Sequence, residues 1–268
     1  MSETLLETTL QQGVAVLWMN RPELRNALNP ALIEALTEAV EAASEDDAVR
    51  VIVLAGHGPA FCAGADLNWM KAAAQYGEAE NRADAERLAR LLRRIAESPK
   101  PTVARVHGPA FAGGLGLVAA CDIAVASTEA SFCLSEVKLG IIPAMISPYV
   151  IRAMGPRMAS RWFLSAEVFH GAEAYRHGLV QELTPPAELD ATVNALLGRL
   201  LQGGPAALAA TKALIRDVTD RPIDDALQAD TAARIAAARA SAEGREGIAA
   251  FLEKRRPSWM PAAEDSAS

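Results

Sequence analysis

VRVIVLAG, residues 49–56, limits the fold more than any other stretch. It is apolar and rich in β-branched residues, and it breaks at Gly56-His57-Gly58-Pro59, so it reads as a buried strand. GVAVLWMN (13–20) and TVARVHG (102–108) have the same character, and DIAVAS and SFCL are shorter strands. Helical patterns lie between them. Asn29 is a good N-cap with Pro30 behind it, and Leu32, Leu36 and Val40 stripe the helix that follows. Leu88, Leu91, Leu92 and Ile95 fall at i, i+3, i+4, i+7 before SPKP stops the run, and GGLGLVAAC is helix-like. Strands alternating with helices predict an α/β core with largely parallel pairing. Residues 71–82, polar and Ala-rich, read as a mobile connection. Strand character ends near residue 186, and helical patterns fill about 195–255 before a polar tail from Pro261. The chain therefore divides into a core over 1–194 and a helical region over 195–268.

A net charge of −7 argues against nucleic acid as a partner, because such proteins usually carry a basic patch or stripe. Cys62, Cys121 and Cys133 are odd in number and lack metal-ligand spacing, which predicts reduced thiols and a cytoplasmic location. MSETLLETTLQQ has no basic n-region, and no apolar run reaches the ~20 residues a bilayer span needs, so neither a secretory signal nor a membrane partner is expected. No constellation suggests a metal.

Two glycine-rich loops hold the chemistry. GHGPAFCAGADL (56–67) leaves a strand, and FAGGLG (111–116) opens a helix. Small side chains expose backbone N–H groups, and a helix N-terminus adds unsatisfied donors and a partial positive charge. Two such donors aimed at one oxygen form an oxyanion hole. The spacing of Gly113, Gly114 and Gly116 does not fit a dinucleotide fingerprint, and no GxxxxGK[ST] loop occurs. Alone, the second run fits a close helix–strand contact equally well.

Taken together, the motifs are more specific. MNRPELRNAL, GPAFCAGADL, KPTVARVHGPAFAGGLGLVAACDIAVAS, LSEVKLGIIP and EGREGIAAFLEKRRPSW follow one another in order from about residue 8 to 259. In this the sequence resembles the crotonase superfamily of enoyl-CoA hydratases and isomerases. The resemblance implies a spiral of ββα units with C-terminal helices that trimerise, and a homotrimer or homohexamer. It implies an acyl-CoA thioester whose oxygen sits between the N–H groups of Ala65 and Gly113. Coenzyme A is then part of the substrate and no separate cofactor is needed. CoA is expected against the backbone of Ala27 and of Ala63, Asp66, Leu67 and Asn68, with Arg25 near its phosphates. Lys254 is expected to reach a neighbouring subunit's ligand. Both cations also fit solvated surface charges.

The resemblance also implies two glutamates in many hydratases, and here the first position is Gly116. The second is Glu136, which becomes the expected acid–base group; its alternative is a cap or a pair with Lys138. Replacing glutamate by glycine is expected to enlarge the pocket and admit a branched acyl chain. FCAGADLNWMK with SFCLSEVKLGIIPAMISPYV is most similar to the methylglutaconyl-CoA hydratase-like branch, used in leucine or isoprenoid catabolism, and Ala144 departs from the glycine usual in IIPG. A hydratase is the leading expectation. A double-bond isomerase and a catalytically silent acyl-CoA-binding protein are the alternatives. His57 and His107 read as loop residues, Asp66 as a loop-stabilising acid rather than a base, and Asp122 as an anchor for the preceding helix. Trp69 and Met70 fit an acyl-pocket wall or plain helix packing, and Ser135 has no His/Asp partners in evidence.

Overall fold

The computed structural model describes residues 4–260. β1 (Leu6–Gln11) turns through Gln12 and Gly13 into β2 (Val14–Met19), and the two pair antiparallel. α1 (Pro30–Glu45) leads to β3 (Val51–Gly56), and α2 (Leu67–Ala73) and α3 (Glu78–Glu97) lead to β4 (Thr102–Val106). β5 (Ala110–Phe111), α4 (Gly113–Ala120), β6 (Ile123–Ser127) and β7 (Ser131–Cys133) follow. Next come α5 (Ser147–Ser165), broken at Gly155-Pro156, β8 (Phe169–His170), α6 (Gly171–Arg176) and β9 (Glu182–Thr184). α7 (Leu189–Leu200), α8 (Pro205–Val218), α9 (Asp225–Ala240) and α10 (Ala242–Leu252) complete the chain.

The large sheet runs β1-β2-β3-β4-β6-β9, parallel from β2 onward, and a small sheet runs β5-β7-β8. A repeating turn is visible: a large-sheet strand, a short small-sheet strand, then a helix, as in β4-β5-α4 and β6-β7-α5. β3 is apolar throughout because both faces are covered, and β4 and β6 are largely so. Leu17, Met19, Ile52, Leu54, Ala104 and Val106 face the core built with α1, α3 and α4. Val51, Val53, Val103 and Val125 face Leu189, Val193 and Leu197 of α7.

The expected start of α1 is found: the Asn29 side chain accepts from the Leu32 N–H with Pro30 in the first turn. Two sequence expectations change. β1 is an added strand, and its LETTLQ pattern is hard to see because all but Leu6 are exposed at the sheet edge. Residues 71–82 are not a loose connection: they hold the end of α2 and the start of α3. The Glu80 carboxylate accepts from the Gly77 N–H at that start, and the Asn81 side chain donates to the Tyr76 carbonyl. These local bonds outweigh the polar composition.

Asp122 anchors a strand and a helix. Its Oδ2 accepts from the Thr102 backbone N–H at 2.8 Å, from the Thr102 hydroxyl at 2.9 Å and from Lys212 Nζ of α8 at 2.7 Å. The carboxylate thus ties the start of β4 to the C-terminal helices. Asp122→Ala removes the acceptor of the Thr102 N–H and hydroxyl and breaks the ion pair with Lys212, whose Nζ keeps the Lys100 carbonyl at 3.1 Å, and is expected to cost about 2 kcal/mol. Chemical denaturation reads this directly; an unchanged midpoint would remove Asp122 from the framework.

Candidate active site

The site is built where the loop after β3 meets the entry to α4. Cys62 bridges Ala110 in parallel: the Cys62 N–H donates to Pro109 O at 3.1 Å and the Phe111 N–H to Cys62 O at 2.9 Å. Leu28 bridges Ala65, with the Leu28 N–H on Gly64 O at 2.7 Å and the Asp66 N–H on Leu28 O at 2.8 Å. These bonds use the amides on either side of Ala65 and leave its own N–H without an acceptor among the described residues. Gly113 is the first residue of α4, so its N–H has no acceptor within the helix. Ala112 precedes it at φ 46°, ψ −116°, a rarely populated backbone conformation that turns the chain into the helix.

The loops touch at two glycines. Gly64 has φ +96°, and a Cβ there would lie 3.2 Å from Phe111 O and 3.3 Å from the Ala112 Cβ. A Cβ on Gly114 would overlap Cys62 O. Glycine at these places lets the loop carrying Ala65 press against the turn carrying Gly113. Both amides therefore sit at the contact between the two loops.

A buried ion pair holds the first loop. Arg21 Nη2 lies 2.8 Å from Asp66 Oδ2, and Arg21 Nη1 donates to the Ala27 carbonyl. Asp66 Oδ1 accepts from the Asn68 N–H at 2.8 Å and the Trp69 N–H at 3.3 Å, capping α2. Burial pushes the Asp66 carboxyl up, but the Arg21 and backbone hydrogen bonds outweigh it and hold the group below its ordinary value. Asn26, fully buried, accepts from the Arg21 N–H and donates to the His57 and Ala60 carbonyls. Arg21 and Asn26 are absent from the sequence expectations. Their signal was the polarity of MNRPELRNAL, which drew attention to the exposed Arg25 instead.

Glu136 opens a 3₁₀ turn after β7, and Lys138 does not pair with it. Lys138 Nζ donates to the Ala166 carbonyl. Glu136 Oε2 is buried with no hydrogen-bond partner, and burial pushes its carboxyl above the usual glutamate range. A half-buried carboxylate with an unmet acceptor is unusual and suits a proton-transfer group.

The remaining expectations sort by place. Arg25 is exposed beside the first loop, where its carbonyl accepts from the Ala63 N–H at 2.9 Å. Leu67 and Asn68 are exposed next to Ala65. The Asp66 carboxylate is turned inward on Arg21 and α2, and its N–H is used by Leu28. Ala27 is likewise buried, with its carbonyl on Arg21. Lys254 follows α10, whose next residues fold back so that the Trp259 carbonyl accepts from Arg50, at the start of β3. That end of the sheet is opposite to the one from which the Ala65 loop leaves. Trp69 is tied to α3 by Nε1–H on Asp84 Oδ2 at 2.8 Å. His57 stacks on Trp18, and His107 bonds the Gly58 carbonyl.

The enlarged pocket expected at Gly116 is not there. A Cβ on Gly116 would overlap Ile146 Cγ2 and lie 2.9 Å from the Ile146 Cβ, and Ile146 is only 2% exposed. The isoleucine fills the room that the missing side chain leaves. A separate cleft of about 490 Å³, at the far end of α4 against α5 and α8, contains the Asp122–Lys212 pair. No three His, Cys, Asp or Glu residues cluster to hold a metal among the described residues, and no described helix is long and apolar enough to cross a membrane.

This geometry agrees with the comparisons to known proteins. The family model for enoyl-CoA hydratase/isomerase matches residues 9–262. The chain belongs to that family. Crotonyl-CoA hydratase from Syntrophomonas wolfei is 34% identical over 252 residues, covering 93% of this chain and 95% of that protein. 2,3-Dehydroadipyl-CoA hydratase from Escherichia coli is 35% identical over 261 residues, covering 97% and 99%. The crystal structure of an enoyl-CoA hydratase from Shewanella pealeana superposes with a TM-score of 0.93 at 41% identity, covering 96% of this chain and 97% of that one. The fold is the crotonase fold, with its helical C-terminal region.

Removing Arg21 tests how this crotonase-fold enzyme holds its first loop. Arg21→Met leaves Asp66 buried and unpaired, an expected loss of about 3–5 kcal/mol at neutral pH. Because the partnered Asp66 carboxyl is held low, its contribution is present above about pH 4 and is lost as pH falls through its depressed value. The gap between wild type and variant should therefore narrow in acid. Equal gaps at neutral and acid pH would show that the ion pair does not carry the loop.

Proposed function

We propose that the protein hydrates the 2,3 double bond of an enoyl-CoA thioester, reversibly, with one carboxylate. The observation that carries this reading is the half-buried Glu136, whose Oε2 has no hydrogen-bond partner, in a chain that also leaves the Ala65 and Gly113 amides free at a loop contact. The thioester oxygen would lie between those two amides, which gain strength as negative charge builds on it in an enolate-like intermediate. A missing donor of this kind typically costs 10²–10³ in rate.

Glu136 would take a proton from water as the oxygen adds at C3, and a proton from the same assembly would pass to C2. A carboxyl raised by burial is better matched to both tasks than an exposed one. Coenzyme A enters as part of the substrate. Its adenine and pantetheine arm would follow the backbone from Ala63 to Asn68, with Arg25 toward the phosphates. Lys254 would serve a second copy's ligand, in a trimer or hexamer built on the C-terminal helices; Phe251 and Leu252 beside it are 82% and 72% exposed.

The acyl group we propose is short and 3-branched, of the methylglutaconyl type. Its support is the likeness of FCAGADLNWMK and SFCLSEVKLGIIPAMISPYV to that branch, not spare volume at Gly116.

Crotonyl-CoA, 3-methylcrotonyl-CoA and 3-methylglutaconyl-CoA, each followed by mass spectrometry, test the reading. The expected product is heavier by one water, best from a branched acid. Glu136→Gln should lower kcat/KM by about 10²–10⁴-fold. In the wild type, kcat/KM should rise with pH through a limb above the ordinary glutamate value, because burial raises that carboxyl, and the limb should vanish in the variant. A product of unchanged mass but altered chromatography would replace hydration by double-bond migration.

A further inference from the structure

We infer that Lys138 is a positioning residue: its ammonium, held on the Ala166 carbonyl, fixes the short turn from which Glu136 projects. The inference rests on the acid–base role proposed for Glu136 above. Glu136 Oε2 has no hydrogen-bond partner, and burial and the residue's own backbone N–H are what act on its carboxyl. The direction of the carboxyl is therefore set by the backbone that carries it, not by a partner side chain. That backbone is a single 3₁₀ turn, Glu136–Leu139, a conformation that persists only in short pieces. Its bonds lie at the long end of the usual range: the Lys138 N–H donates to Ser135 O at 3.1 Å, the Gly140 N–H to Val137 O at 3.2 Å and the Ile141 N–H to Glu136 O at 3.2 Å.

Lys138 anchors this turn from outside. With three residues per turn, positions two apart do not share a face, so the lysine is directed away from Glu136, and its Nζ donates to Ala166 O. That carbonyl is a firm attachment. Ala166 is fully buried and ends α5 in the left-handed conformation, φ 48°, with its N–H on Trp162 O at 3.1 Å. A cation on the last carbonyls of a helix is also favoured by the helix dipole. Phe169, three residues on, stacks on both Trp162 and Phe132, which ties the end of α5 to β7. The start of the same segment meets the same carbonyl: Cys133 Sγ donates to Ala166 O at 3.5 Å. Ala166 O thus receives both ends of residues 133–138, with Glu136 between them. The Cys133 carbonyl in turn accepts from the Ala112 N–H at 2.8 Å, next to Gly113. The turn bearing the carboxyl and the turn bearing the Gly113 amide are held by one framework.

The experiment compares wild type, Lys138→Met and Lys138→Arg on the best of the three enoyl-CoAs named above. Methionine keeps an unbranched stem and removes the donor, whereas arginine keeps a donor. A misplacement of about 1 Å can cost about 10²-fold, so Lys138→Met should lower kcat about 10–100-fold and leave KM within about twofold. Lys138→Arg should recover much of that loss. A kcat within about twofold of wild type in Lys138→Met, or a loss that appears in KM alone, would overturn the inference. Hydrogen exchange forms the second arm and needs no turnover. The Ile141 N–H should exchange at least about tenfold faster in Lys138→Met than in wild type, with the amides of β4 unchanged. If the wild type hydrates none of the three enoyl-CoAs, the hydration reading falls. Faster exchange at Ile141 then upholds Lys138 as the anchor of the Glu136 turn, and unchanged exchange overturns it.

Discussion

The buried pair of Arg21 and Asp66 is the interaction on which the site depends. Each residue is less than a tenth exposed, and each spends its remaining hydrogen bonds on backbone: Arg21 on the Ala27 carbonyl, Asp66 on the first turn of α2. Two charges taken out of water repay their desolvation only when such bonds are met. Here they are, and the result is geometric. The segment before α1, the loop after β3 and the start of α2 are fixed to one another around a single contact. Ala65 lies between the Gly64 carbonyl and the Asp66 amide that Leu28 uses, so its N–H is left over by construction. An amide donor placed this way needs no titratable side chain.

The second donor is positioned by close packing. Glycine at 114 allows Cys62 O to stand where a Cβ would be, and glycine at 64 allows the loop to press on Phe111 and Ala112. The backbone is correspondingly strained at Ala112, a non-glycine residue at positive φ, at a cost of order 1–3 kcal/mol. The bridge between Cys62 and Ala110 and the bond from the Ala112 N–H to Cys133 O hold that conformation from both sides. Strain at the mouth of α4 is thus carried by the small sheet, whose strands are only two or three residues long.

Much of this was legible in the sequence, and the failures have physical causes. The central strands announced themselves because both of their faces are buried, whereas β1 sits at an edge with polar residues exposed and left no apolar pattern. Glu136 could be picked out by its motif. Its freedom from Lys138 could not, since that depends on where the Ala166 carbonyl falls. Arg21 and Asn26 were hidden for a related reason. Their partners Asp66, His57 and Ala60 are 31 to 45 residues away in sequence, so no local spacing shows that they are buried. The glycine at 116 misled in the other direction. A deleted side chain reads as added room, but core packing leaves few voids, and a residue thirty positions later fills this one.

That filling changes the electrostatics as well as the shape. Two carboxylates sharing a site raise one another's pKa and titrate as a pair, so neither value belongs to one residue. With Ile146 against Gly116, no acid at that position can supply this coupling. The upward push on Glu136 must come from desolvation instead, and burial is its leading cause. Desolvation and coupling respond differently to a bound ligand. An acyl chain that expels water deepens desolvation and raises the Glu136 carboxyl further, whereas a coupled pair would keep much of its separation whether or not substrate is bound. On the proposed reading, a site with one acid ties the protonation of Glu136 to the dryness of its surroundings.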